Sequence, residues 1–203
     1  MASSSMNRRA FLKAGSLAAP AFAAGFSAPD GAAGRNSAPV RMGSSASEGP
    51  LGYSTKTRWI ETGEGVFVID AQWTLPEARN ALAAMREDVS EKPLLGLLIT
   101  HDHTDHYGGL SVFAVAFPDA PIFAARATTR SMREDTRGFN AMRRERHGET
   151  FPTQDVISAH LPTRVAEGGE TVTLGSTRIW KGQRVEAGQR YRGNALELEQ
   201  RLN

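Results

Sequence analysis

Three of the protein's five histidines and two aspartates fall within six consecutive residues, His101-Asp102-His103-Thr104-Asp105-His106. Alternate residues of an extended chain point to one side, so His101 and His103 can present their imidazoles to one point in space. If the chain then turns, the adjacent Asp105 and His106 can serve a second point nearby. Imidazole and carboxylate are ligands that suit zinc, iron and manganese, and a chain with no cysteine has no thiolate to offer. Gly108 and Gly109 follow, and are read as residues that let the backbone leave the site at angles other residues resist.

The elements that must position this cluster are legible on either side. Leu94 to Ile99 is a short apolar run after Pro93, and it reads as a buried strand ending where the cluster begins. A histidine-rich surface tract would not be led in this way. Upstream, Thr57–Glu61 and Val66–Ile69 read as two strands around Thr62-Gly63-Glu64-Gly65, the second ending in Asp70. Thr74-Leu75-Pro76-Glu77 has the form of a capping box with proline in the first turn. Leu75, Ala78, Leu82, Met85 and Val89 then recur at three- and four-residue steps, as on one face of a helix. Strand, helix and strand make a βαβ unit, so the two strands should be parallel, with the cluster at the carboxyl end of the second.

Thr100 to Gly109 resembles the first metal-binding motif, His-x-His-x-Asp-His, of the metallo-β-lactamase-fold hydrolases. Gly65 to Asp70 is similar to that family's upstream strand ending in aspartate. The resemblance implies an α/β fold, the αββα sandwich, with its N-terminal half over residues 54–180. It implies that His101 and His103 hold one metal and Asp105 and His106 a second, with zinc expected and iron or manganese as alternatives. Asp105 would also orient a metal-bound hydroxide that attacks an ester, amide, lactam or related bond of a small-molecule substrate. Asp70 would orient the metal loop from behind.

Beyond the motif, Leu110 to Phe117 is apolar nearly all round and is expected to form a short buried helix stopped by Pro118. Pro121–Ala124 should be the next strand. Residues 126–147 look helical and carry Arg130, Arg133, Arg137, Arg143, Arg144 and Arg146 against Glu134, Asp135 and Glu145. That mixture reads as a solvated, ion-paired face, and nucleic acid is not expected as a partner. In the family such a region often covers the active site, so an arginine here could meet an anionic substrate. His147 and His160 read as surface or capping histidines. Thr171–Leu174 and Thr177–Trp180 read as a hairpin around Gly175-Ser176.

In the family the second half of the site then supplies a third histidine, a bridging aspartate and a last histidine. Here Lys181 to Asn203 contains neither histidine nor aspartate, carries Arg184, Arg190, Arg192 and Arg201, and has little hydrophobic period. It is expected to be an atypical, disordered tail, explained by a truncated or frameshifted reading of a longer gene. Each metal would keep about two protein ligands, fewer than the three of ordinary catalytic zinc. One apolar face of the first sheet would also be left exposed. The competing expectation is therefore a catalytically inactive fragment, or a weak metal-binding protein.

The N-terminus reads as a targeting segment. Arg8-Arg9 and Phe11-Leu12-Lys13, followed by a mild apolar run, resemble a twin-arginine export signal over residues 1–27. Ala21-Phe22-Ala23 has the form of a cleavage site, so a periplasmic or extracellular location is expected. The run is too short and too rich in small residues for a stable membrane span. Residues 28–53, rich in Gly, Pro, Ser and Ala, read as a flexible linker. The net charge of +2 is small. Losing Arg8, Arg9 and Lys13 with the leader leaves 21 basic against 22 acidic residues, a net −1.

Overall fold

A computed structural model describes residues 40–48, 54–89, 91–174, 177–181 and 196–199. The leader expected over 1–27 lies outside the described residues, as do 28–39 and 49–53 of the expected linker. A six-stranded sheet has its strands in chain order: β1 (Arg41–Glu48), β2 (Ser54–Glu61), β3 (Val66–Ile69), β4 (Leu94–Leu98), β5 (Ile122–Ala124) and β6 (Arg164–Val165). The first two joins are antiparallel and the remaining three parallel. A second sheet holds β7 (Thr171–Leu174), β8 (Thr177–Lys181) and β9 (Leu196–Glu199), all antiparallel neighbours.

The expected βαβ unit is present. Between β3 and β4 runs α1 (Leu75–Asp88), capped by the Thr74 hydroxyl, which accepts from the Glu77 amide. The same hydroxyl donates to the Glu77 carboxylate at 2.8 Å, so the capping box closes through both side chains. Ala78, Ala81, Leu82 and Met85 are its buried face. They pack on Trp59, Val66, Val68, Leu97 and Ile99 in the larger core, together with Leu110 and Phe113 of α3 (Leu110–Ala116). Side chains alternate along a strand, so Phe67 and Ile69 of β3 point the other way, into a second core with Ile60, Leu98 and Phe123. Both faces of the central strands are buried, which accounts for their unbroken apolar sequences. Gly96 makes room there: a Cβ on it would lie 2.9 Å from the Phe123 ring, which packs at 6.3 Å from Phe67.

Several expectations are corrected. The second face of the larger sheet is not exposed; its residues are buried, and Val172 of β7 packs against it. Arg41–Glu48, expected as linker, is an edge strand paired with β2 along its whole length. Its one large apolar residue, Met42, is exposed, and what holds the strand is backbone pairing and a few polar contacts. Arg41 meets Glu61 at 3.0 Å and Asp88 at 3.1 Å. Gly43 lies opposite Trp59, whose indole crosses it and donates to Asp88 at 2.7 Å; a Cβ on Gly43 would collide with that ring. In the expected tail, Lys181 belongs to β8 and Leu196–Glu199 forms β9; residues 182–195 and 200–203 lie outside the described residues.

The arginine-rich stretch is two helices rather than one, α4 (Arg126–Glu134) and α5 (Phe139–His147). Asp135 and Gly138 between them take left-handed backbone angles, and the Asp135 carboxylate accepts from the Asn140 and Ala141 amides. A capping aspartate thus starts a new helix where the charge pattern suggested continuity. The helix α3 has the expected place, but its Val115 is 71% exposed, so one side faces solvent. A 3-10 turn (Gly148–Thr150) and α6 (Gln154–Ala159) then lead to β6.

Candidate metal centre

Two parallel strands end side by side, β3 at Ile69 and β4 at Leu98, and the segments leaving them hold each other. Asp70 and Gln72 take left-handed angles, φ 60° and 64°, which is costly for residues with a Cβ. The turn persists because its groups are bonded on every side. The Asp70 amide donates to Leu98, the Ala71 amide to the His106 carbonyl, and the Gly109 amide to the Gln72 carbonyl. The Gln72 side chain is fully buried, donates to the Ser45 carbonyl at 3.1 Å and accepts from Ser47 at 2.7 Å. Strand β1 therefore steadies the turn behind the histidines. Gln72 carried no recognisable signal in the sequence.

The chain bends at His101 and Asp102, and His103, in extended conformation, precedes the one-turn helix α2 (Thr104–Tyr107). The Asp70 carboxylate, nearly buried, accepts from the Thr100 amide and hydroxyl at 2.9 Å each. Its second oxygen lies 2.8 Å from His106 Nδ1. A carboxylate can only accept here, so His106 Nδ1 carries a proton and its Nε2 points the other way. Thr100 donates its hydroxyl proton to Asp70, and its oxygen lies 2.9 Å from His101 Nδ1. That oxygen is left to accept from His101, whose Nε2 is thereby free to act as a ligand. Thr100 joins the His101 ring on one side to the Asp70 carboxylate on the other, a role that its place at the end of an apolar run did not announce.

The ring of His101 lies 4.6 Å from that of His103 and 4.0 Å from that of His106, centre to centre. Asp105 Oδ2 is 3.3 Å from His106 Nε2 and 3.4 Å from the Thr55 hydroxyl of β2. The structure thus brings all four sequence-predicted ligands together at the carboxyl end of β4. Burial lowers the pKa of His101 to about 4, with the neighbouring His106 adding to the effect, so its imidazole is neutral at pH 7. Burial would lower His106 too, but hydrogen bonds and charge from Asp105 and Asp70 outweigh it and raise the group to about 10. Asp105, raised by burial alone, is pulled down to about 2 by His106. The Asp105–His106 pair is therefore ionic. Among the described residues, no three His, Asp or Glu side chains are arranged to hold a single ion. The donor set nonetheless fits a metal: His101 presents a neutral imidazole nitrogen held from behind, His106 is held in the same way once its Nε2 proton leaves, and Asp105 is an ionised carboxylate.

Around the motif, Gly108 and Gly109 have ordinary helical or near-helical angles, contrary to the expectation of special ones. Their function is close approach. A Cβ on Gly108 would fall 2.1 Å from the Trp73 carbonyl oxygen. Behind α2, the buried Tyr107 hydroxyl donates to Asn140 Oδ1 at 2.7 Å, and Asn140 in turn bonds Met132 and Gln154. Burial, then the charges of Asp135 and Asp102, push the Tyr107 pKa upward. In front, Arg143 of α5 donates from Nε to the Thr104 hydroxyl at 3.2 Å and lies over the Trp73 ring. His147 packs edge-on against Trp73, with a buried and unpartnered Nε2. His160 caps its own helix, its Nδ1 2.7 Å from the Val156 carbonyl, and like His147 it does not join the cluster.

A family model described as the metallo-beta-lactamase superfamily matches residues 56–184. A linear primary-alkylsulfatase from a Pseudomonas strain is 35% identical over 54 residues, 27% of this chain and 10% of that protein. The alpha subunit of a 2,4-dinitroanisole O-demethylase from a Nocardioides strain is 28% identical over 131 residues, 64% of this chain and 29% of that one. Among solved structures, the metallo-beta-lactamase GOB-18 from Elizabethkingia meningoseptica superposes with a TM-score of 0.52 at 19% identity. That match covers 72% of this chain and 50% of that one, and bears on fold alone. The chain spans about half the length of this structure and under a third of either curated relative. With the family model matched over more than half of its length and the αβ core in place, the chain belongs to the metallo-β-lactamase superfamily.

Proposed function

We propose that the chain is a metal-dependent hydrolase whose ion is zinc, held through His101, His103, Asp105 and His106. The observation that carries this reading is the gathering of three imidazoles and a carboxylate at one strand end, two of the rings fixed through Nδ1 by Thr100 and Asp70. His101 and His103 would serve one ion and Asp105 and His106 another. Bound zinc supplies Lewis acidity, bringing the pKa of water toward neutrality. Asp105 would orient the attacking oxygen, and Asp70 and Thr100 hold the rings through the reaction. The bond is an ester, sulfate ester or lactam, in keeping with the names of an alkylsulfatase and a lactamase among the similar proteins.

The test is elemental analysis of the purified chain with circular dichroism, then a hydrolysis screen over those bonds. Close to two zinc per folded chain with turnover supports the reading. A folded chain that turns over nothing and holds little metal overturns it. That second outcome fits the alternative, a weak metal binder without activity, which is favoured by the absence of a three-ligand group among the described residues. Export through a twin-arginine signal is part of the same reading, supported by Arg8-Arg9 and the Ala21-Phe22-Ala23 site. N-terminal sequencing of the periplasmic product should begin near Ala24; an unprocessed cytoplasmic chain would refute it.

A further inference from the structure

We infer that Arg143, with Arg137, forms an oxyanion-binding subsite at the rim of the histidine cluster, which selects substrates bearing a sulfate, phosphate or carboxylate group. The rim is built by α5 and the turn before it. Arg143 donates from Nε to Thr104, the residue between His103 and Asp105, and its guanidinium is held over the Trp73 ring at 5.7 Å. One edge of the fork is used and the ring beneath fixes its plane. Among the described residues Arg143 pairs with no carboxylate. Other arginines are occupied differently: Arg144 donates to the Phe151 carbonyl, and Arg41 pairs with Glu61 and Asp88.

Arg137 approaches the same loop from the α4–α5 turn. It lies 3.8 Å from Asp102, a long contact, with its side chain 45% exposed. Such a pair is weak and exchanges partners readily. A planar guanidinium whose outer nitrogens meet no carboxylate, with a partly exposed second one reaching the same loop, suits the fork geometry of an oxyanion. Placed one residue from two proposed ligands, this pair would hold the anionic end of a substrate next to the bond being cleaved.

The consequence for turnover rests on the hydrolase reading, but anion binding can be measured without it. Sodium sulfate is titrated calorimetrically into the full chain equilibrated with zinc, against sodium chloride at equal ionic strength. Arg143→Lys keeps the charge and Arg143→Gln removes it. Sulfate binding weakened at least about tenfold in Arg143→Gln, and by less in Arg143→Lys, supports the subsite. Unchanged binding in Arg143→Gln, or no binding by the native chain, overturns it. Arginine labelling of the native chain by phenylglyoxal probes the same contact without any substitution. Sulfate should shield Arg143 and leave the exposed Arg133 and Arg146 reacting freely; equal labelling of Arg143 with and without sulfate also overturns the subsite. If sulfate binds through Arg143 and nothing is hydrolysed, the hydrolase reading alone has failed.

Discussion

A Cβ on Gly109 would fall 2.2 Å from the Ala78 methyl and 2.3 Å from the Ala71 carbonyl oxygen. Gly109, just after the metal motif, packs tightly against both the left-handed turn and α1. Gly109→Ala should therefore destabilise the chain by about 1–3 kcal/mol, the ordinary cost of overfilling a packed site. Urea denaturation reads this directly. Gly138→Ala is the contrast, since a Cβ there meets nothing within 4 Å and only the positive φ resists it. Equal tolerance of alanine at Gly108, Gly109 and an exposed loop position would remove the packing argument.

Asp70→Asn tests the support of the rings. The amide retains the shape but loses the charge and presents a donor to either Thr100 or His106, both of which now meet an acceptor. Zinc affinity should fall about 10–100-fold, as measured by competition with a chelator. Asp88→Asn, at the far end of α1, should leave that affinity unchanged.

Stability of the metal-free chain should depend on pH with opposite signs on either side of neutrality. His106 is raised to about 10 from 6.5, so its contribution is fully present below pH 6.5 and is lost as pH rises through 10. His101 is lowered to about 4 from 6.5, so its contribution is present above 6.5 and is lost as pH falls through 4. Asp105, at about 2 against 3.8, adds a loss below pH 3.8. Thermal midpoints across pH 3–10 should peak near 6.5 (~pH 6–7). His106→Gln should flatten the alkaline limb and His101→Gln the acid one. Zinc uptake at pH 7 should release about one proton from His106, measurable in weak buffer.

Tyr107→Phe leaves the buried Asn140 oxygen without its donor. The expected loss is about 1–3 kcal/mol, the cost of an unsatisfied buried acceptor. A denaturation midpoint equal to that of the native chain would mean that the Tyr107–Asn140 bond contributes nothing.

What could be read from sequence was what apolar period and capping chemistry record: β3, α1, β4 and their parallel pairing, the hairpin of β2 and β3, and the cluster at the strand end. Residues that act through backbone or through tertiary contact were invisible. Strand β1 has almost no apolar signal, because the Trp59 indole, not a side chain of its own, fills the space above Gly43. The split between α4 and α5 depends on Asp135 choosing to cap, which its charge does not disclose. Thr100 and Gln72 matter through the shape of a turn that exists only once β3 and β4 lie side by side.

The chain-order arrangement of the larger sheet also has a kinetic meaning. Every strand from β2 to β6 docks on the strand made just before it, so assembly can proceed as a zipper, one edge advancing as the polypeptide lengthens. Each step closes a loop of limited length, which favours rapid formation over the long-range searches of shuffled sheets. Among the described residues the advancing edge stops at β6, two residues long and begun by Arg164, a short and charged terminus that gives another chain little to pair with.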